Sequence, residues 1–488
     1  MIRLLDRRDL LRSGAIAGSG LLLDGRPVRT AAVAASTTGP SAEAPPESPA
    51  DVTLRIGPVL VDVDEDHTIS TIGYNGAAPG PLIRFKEGKT VTVELINETD
   101  TPEFVHWHGQ LIPPAMDGAP EENSLVVPAH GELRYRLTPA PAGLRFVHSH
   151  VLAGPDLHRG SYTGQHAPVY IEPARDPGRY DREVFMTTHE WEPFFTSEEM
   201  EDAEEREEQK EEEDKEEAES RQNGWEVGYR LFSINGRALG HGEPVRVREG
   251  ERVLFQILNA SATENIKLAL PGHRFLVVAL DGNPVPAPKL VNVLQLGTAE
   301  RIGAIVEMDH PGVWVFGTPK DDDRKNGMGI VVEYAGSRGA PQWVAPPKSK
   351  WDYTIFGGSR PAREPGRVIP MVFRKINGGR GGFNRWTING NAYEDQGEPA
   401  KLQRGERYRL TFDNRTDDAH PLHLHRNIFE LTSVGGKPTA GIMKDVVLIK
   451  GFGRLEVDFT ADQPGRALFH CHQQLHMDYG FMQLFDVV

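Results

Sequence analysis

The last nineteen residues hold the chain's single cysteine between two histidines, in His470-Cys471-His472-Gln473-Gln474-Leu475-His476, with Phe481-Met482 close behind. Buried without a metal, each of the triplet's three polarisable groups would need its own hydrogen-bonding partner. A metal ion supplies those partners at once. On a strand, successive side chains point to opposite faces, so Cys471 faces one way and both flanking histidines face the other. One strand can therefore serve two sites. A cysteine with two histidines and a weak axial group is the ligand set of a blue-copper electron-transfer centre. His476, five residues past the cysteine, can return to the Cys471 face after a short turn.

Three more closely spaced groups lie upstream, in His106-Trp107-His108, His148-Ser149-His150 and His420-Pro421-Leu422-His423-Leu424-His425. Ten of the eighteen histidines fall in the four segments; His67, His130, His158, His166, His189, His241, His273 and His310 show no such spacing and read as ordinary. The chain resembles a three-domain multicopper oxidase of the laccase-like bacterial group, whose signature is four such segments in this order. The resemblance implies four copper ions. It gives Cys471, His420 and His476 to a type 1 copper and His106 and His423 to a type 2 copper. It gives His108, His148 and His472 to one type 3 copper, and His150, His425 and His470 to the other. It further implies that electrons pass from Cys471 along its own backbone to His470 and His472, and that dioxygen is reduced to water where the other histidines meet.

By the same resemblance, Asp117 in Met116-Asp117-Gly118 matches the carboxylate that supplies protons to bound oxygen. Some relatives add a glutamate directly after the last type 1 histidine, where this chain has Met477 followed by Asp478. The axial position, ten residues after the cysteine, is Phe481, which cannot ligate; a one-residue shift would instead bring in Met482. A copper without a thioether ligand is less stabilised when oxidised, so Phe481 predicts a high potential. Arg145-Phe146-Val147 precedes His148 where relatives often have Trp-Tyr, so residues of the substrate pocket do not transfer.

The elements that must position these ligands show as a pattern repeated three times. Asn75-Gly76, Gly88, then Val91, Val93 and Leu95 alternating with polar residues before Asn97 make the first copy. Asn235-Gly236, Gly250, then Val253, Phe255 and Ile257 before Asn259 make the second, and Asn389-Gly390, Gly405, then Tyr408, Leu410 and Phe412 before Asn414 the third. Period-two alternation bounded by Gly and Asn turns marks half-buried antiparallel strands. The reading is an all-β chain of three consecutive cupredoxin-like Greek-key β-sandwich domains. They are expected at 51–173, carrying trinuclear ligands, at 229–345, copper-free, and at 346–488, carrying the type 1 copper and the remaining trinuclear ligands. Residues 174–228 read as a linker with an acidic insertion. Copper ligands from the outer domains must then converge at their mutual interface.

A length of 488 residues provides for several cores, and no apolar run approaches a membrane span. The net charge of −16 is concentrated in residues 197–221, where fifteen acidic residues face four basic ones, leaving only −5 for the rest. Nucleic-acid binding has no basic surface to rest on. Asp6-Arg7-Arg8-Asp9-Leu10-Leu11, followed by small and apolar residues, resembles a twin-arginine export signal, and residues 36–49 read as a disordered tether, so residues 1–50 are expected to lie outside the fold and the protein in the periplasm or outside the cell. One cysteine forms no disulfide within the chain, which leaves the thiol for copper. The leading function is oxidation of phenols or similar one-electron donors with dioxygen as acceptor. The alternatives are oxidation of cuprous, ferrous or manganous ions, and copper binding or tolerance without turnover.

Overall fold

The structure, a computed structural model, describes residues 49–173, 179–196 and 224–488. The expected export signal, all but the end of the tether, and the acidic insertion lie outside these residues. Every helix among the described residues is short, and none is long and apolar enough to cross a membrane. Strands carry the fold. Three successive sets of sheets follow one another along the chain: two of four strands, then sheets of six, three and two, then sheets of six and five.

The thrice-repeated sequence pattern becomes a thrice-repeated piece of geometry. In each copy an early strand runs parallel to a later one: Val52–Asp62 beside Val91–Asn97, Arg182–Thr196 beside Arg252–Asn259, and Arg367–Ile376 beside Arg407–Asn414. Asn75, Asn235 and Asn389 have φ of 53°, 55° and 53°, and the glycine after each is also left-handed. A tight turn with positive φ at both central residues favours Asn-Gly. The asparagine also bonds outward, its Oδ1 accepting from the backbone N–H of Arg55, Thr187 or Val372 at 2.7, 2.8 and 2.9 Å. At the end of the later strand, Asn97, Asn259 and Asn414 each donate through Nδ2 to the carbonyl of Thr101, Glu264 or Asp418, all at 2.8 Å.

This repeat corrects the expected linker. Arg182–Thr196 is a strand of the second six-stranded sheet, and it pairs antiparallel with Glu226–Ile234 so that Thr196 stands opposite Glu226. The acidic segment therefore interrupts a hairpin of the second unit instead of separating two units. The strand leaves no mark in the sequence because residues 186–191 are buried at every position. A strand covered on both faces has no polar alternation to betray it.

Two strand pairs bring the histidines together. In the last sheet, Gly465–Cys471 lies between Met482–Val487 and His420–Leu424, with Cys471 opposite Leu422 and His470 opposite His423. In the first unit, Val105–His108 lies beside Gly143–Ser149, with His106 opposite His148. The strands are anchored by buried neighbours such as Trp107, Val147, Leu422 and Phe469, each worth about 1.5–3 kcal/mol relative to exposure.

Candidate metal centre

On one face of the last strand, Cys471 Sγ lies 3.7 Å from His420 Nδ1 and 3.5 Å from His476 Nδ1, and the two nitrogens are 3.0 Å apart. The helix Gln474–Asp478 makes the turn that returns His476 to this face. The His420 Nε2–H donates to Thr416 Oγ1 at 2.7 Å, which leaves the lone pair on Nδ1, toward the sulfur. Trp386 stacks on the His476 ring with centroids 4.0 Å apart and donates through Nε1 to Asp418 at 3.3 Å. Burial holds His420 at about 4, keeps His476 well below the usual imidazole range, and pushes the Cys471 thiol up. The imidazoles are neutral donors; the thiol needs a cation to lose its proton.

The fully buried Phe481 ring stands edge-on to His420 at 4.8 Å. Met482 turns the other way, into a cluster with Leu468, Met477 and Leu484. Strand alternation accounts for the difference, since Met482 pairs with His470 rather than with Cys471.

On the opposite face, the outer units interlock. Ligand atoms of His108, His148 and His472 lie within 4.8 Å of one another, as do those of His150, His425 and His470, and those of His106, His108 and His423. Each set mixes the first unit with the third. His106 Nε2, His108 Nδ1, His148 Nε2 and His423 Nε2, with both nitrogens of His150 and His472, have no hydrogen-bond partner although buried. His425 Nε2 and His470 Nε2 face each other at 3.0 Å. Burial, reinforced by neighbouring imidazoles, holds His108, His148, His150, His423, His425, His470 and His472 well below the usual imidazole range. So many unpartnered imidazole nitrogens aimed at one space fit a metal site.

Two aspartates hold the far sides of these rings. The Asp117 carbonyl accepts from His106 Nδ1 and its carboxylate from His425 Nδ1, both at 2.8 Å. The Asp445 carbonyl accepts from His423 Nδ1 at 2.7 Å and its carboxylate from His108 Nε2 at 3.1 Å. These bonds fix which nitrogen faces the cluster.

A cysteine with two imidazoles on one face of a strand, and eight imidazoles converging on the other, fit copper at both places. Residues 56–176, 204–335 and 370–488 each match a family profile described as multicopper oxidase. The chain belongs to the multicopper oxidases. It is thus a copper-dependent oxidoreductase that uses dioxygen, with one type 1, one type 2 and two type 3 coppers. It is similar to multicopper oxidase MmcO of Mycobacterium tuberculosis (strain ATCC 25618 / H37Rv), 28% identical over 507 residues, which cover 100% of this chain and 97% of the relative. The copper resistance protein A homolog of Pseudomonas syringae pv. tomato is 23% identical, with 88% of this chain and 91% of the relative covered. A crystal structure of a multi-copper oxidase from Pseudomonas thermotolerans shares the fold, with TM-score 0.67 at 22% identity over 90% of this chain and 98% of that one.

Every residue that the resemblance names as a ligand in this multicopper oxidase lies in one of the two clusters, and Asp117 and Phe481 border them. Asp445, Thr416 and Trp386 belong to the site without having been expected there. Asp445 carries a signal, because Lys444-Asp445 interrupts the apolar stretch at 440–449, and charges inside such a stretch need buried partners. His166 has no telling spacing in the sequence, yet it is buried and lines a small cavity with His148 and His472.

Proposed function

We propose that this multicopper oxidase is laccase-like, taking single electrons from phenols or similar small donors at a cavity beside His476. On this reading Cys471, His420 and His476 hold the type 1 copper, with Phe481 in the axial position. His106 and His423 hold the type 2 copper, and His108, His148, His472 and His150, His425, His470 hold the type 3 pair. The coppers supply one-electron acceptance at the first place and four-electron reduction of dioxygen to water at the second. The peptide units on either side of Cys471 join it to His470 and His472. Asp117 stands against His106 and His425 with its Oδ1 unpartnered, so the oxygen that would carry a proton is the one left open.

The observation that carries the substrate reading is a cavity of about 460 Å³, a size that suits a small molecule. Val227, Phe232, Ile266, Met328, Pro346 and Pro347 give it apolar walls, and His476 and Asp418 lie in its lining. Apolar walls of this kind suit an aromatic ring. Burial works against the charge of Asp418, but the Lys375 ammonium 3.2 Å away overrides it and holds the carboxyl at about 2. A phenolic hydroxyl entering beside His476 would find a standing hydrogen-bond acceptor.

A second reading, oxidation of metal ions, draws on Glu226, Glu264 and Asp323 in the same lining. Glu226 weakens it. Burial, then the neighbouring Asp418, pushes its carboxyl well above the usual range, and a protonated carboxyl is a poor cation ligand. Oxygen uptake by the copper-loaded protein with a phenol, cuprous, ferrous and manganous ions in parallel tests both. The phenol should give the highest kcat/KM; a higher value for any of the ions would replace the laccase reading. We further place the protein outside the cytoplasm, on the strength of Arg7-Arg8 and the apolar run after them. Replacing both arginines by lysine should trap it inside the cell.

A further inference from the structure

Among the described residues of the middle unit none lies in the histidine clusters, yet one of its side chains reaches the aspartate that holds two of the clustered histidines. Arg301 approaches the Asp445 carboxylate end-on, Nη1 to Oδ1 and Nη2 to Oδ2, both at 2.6 Å. From the first unit, Arg145 Nη1 donates to Asp445 Oδ2 at 3.0 Å. Asp281 of the middle unit accepts from the backbone N–H groups of Asp445 and Val446 at 3.3 and 3.1 Å and pairs with Lys444 at 3.0 Å. Lys444 also pairs with Glu300 at 2.9 Å. Three acids and three bases thus meet with essentially no exposure, one or more from each unit.

Asp445 mirrors Asp117. Each accepts from one type 2 histidine through its carbonyl and from one type 3 histidine through its carboxylate. The two differ in what else the carboxylate does. Asp117 Oδ1 has no hydrogen-bond partner, whereas both oxygens of Asp445 are taken by guanidinium groups. A carboxylate held by a bidentate arginine and a second arginine is fixed in place. The backbone leaves no slack, for a Cβ on Gly109, next to His108, would come within 2.5 Å of Asp445 Oδ2.

We propose that Asp445 is a positioning residue for the trinuclear copper cluster, oriented by Arg301 of the middle unit and Arg145 of the first. Through it, His108 presents Nδ1 and His423 presents Nε2 to the metals. The middle unit is then part of the trinuclear site, because the site is correctly formed only where Arg301 is docked. The proposal rests on the ligand assignment made above. Buried ion clusters set geometry more than they add stability, and hydrogen bonds on the far side of metal-binding imidazoles tune metal affinity.

The test compares Asp445→Asn, Arg301→Met and Arg301→Lys in copper-reconstituted full-length protein, reading copper per chain, the type 2 electron paramagnetic resonance signal and the blue absorption. Asp445→Asn and Arg301→Met should lose the type 2 signal and fall from four coppers to about three or fewer, with the blue absorption unchanged. Arg301→Lys, which keeps the charge but not the fork, should retain about half of the type 2 signal. Four coppers with an unaltered type 2 signal in the first two variants would overturn the proposal. So would loss of the blue absorption in step with the type 2 signal, since that is the mark of a cluster that only holds the fold together. His423→Ala separates the underlying assignment: if it kept the type 2 signal, the ligand reading itself would fall.

Discussion

Cys471, as the proposed type 1 ligand, should tolerate no other side chain. Its sulfur faces His420 and His476 while its backbone continues into His470 and His472. A hydroxyl is too poor a copper ligand to replace the thiolate, so Cys471→Ser should lose the blue absorption and reduce phenol oxidation to background, with the trinuclear coppers retained by copper count. A variant that stayed blue would show that the sulfur is not a ligand. Phe481 permits a finer test. Its ring lies against His420, while Met482 packs on Leu468 and Met477 across the strand. Phe481→Met should place a thioether beside the copper, stabilise the oxidised ion and lower the potential. Met482→Leu should leave it unchanged. Redox titration of the blue band in both variants decides between them; the opposite pattern would make Met482 the axial group.

The strands that carry the clustered histidines are held by turns whose tolerance differs sharply from one glycine to the next. Gly118 has φ of +86°, and a Cβ there would sit 2.0 Å from the Val105 carbonyl oxygen and 2.6 Å from the His106 nitrogen. Gly118→Ala must push away the strand that holds His106 and His108, and should cost on the order of 3 kcal/mol. Gly88 has φ of +72°, but a Cβ there would meet no atom within 4 Å. Gly88→Ala should cost only about 1 kcal/mol. Thermal unfolding of the copper-free variants, with copper counts after loading, checks the difference; equal costs would mean that the Val105–His108 strand yields freely. Much of this level is legible in the sequence. The Asn-Gly turns and the alternating strands are visible because a half-buried strand writes its own pattern. Arg182–Thr196 is not, because burial on both faces erases the alternation. The clustered histidines and the cysteine are readable because imidazole and thiol spacing is local, whereas Asp445, Arg145 and Arg301 are joined only by folding, across 300 and 144 positions of the chain.

At the scale of the whole molecule, the acidic segment is the largest feature that the chemistry does not use. The described residues around it say how it is attached. Thr196 and Glu226 face each other across an antiparallel pair, so the chain leaves and returns at the same end of one hairpin, and a short bridge can close the gap without moving either strand. The return strand begins at Glu226 and Val227, which line the donor cavity. An acidic segment joined to that strand would matter to a metal-ion donor, as a collector of cations. The apolar walls and the raised Glu226 carboxyl argue for an organic donor instead. Removing residues 197–221 and joining the ends with a short Gly/Ser bridge should therefore leave copper content, the blue band and the kcat/KM for phenols within about twofold of the parent, because the clustered histidines, Cys471 and the cavity walls named above all belong to other parts of the chain. Ferrous or manganous oxidation that exceeded phenol oxidation in the parent, and fell at least about tenfold on deletion, would transfer the substrate reading to metal ions and make the segment part of the site.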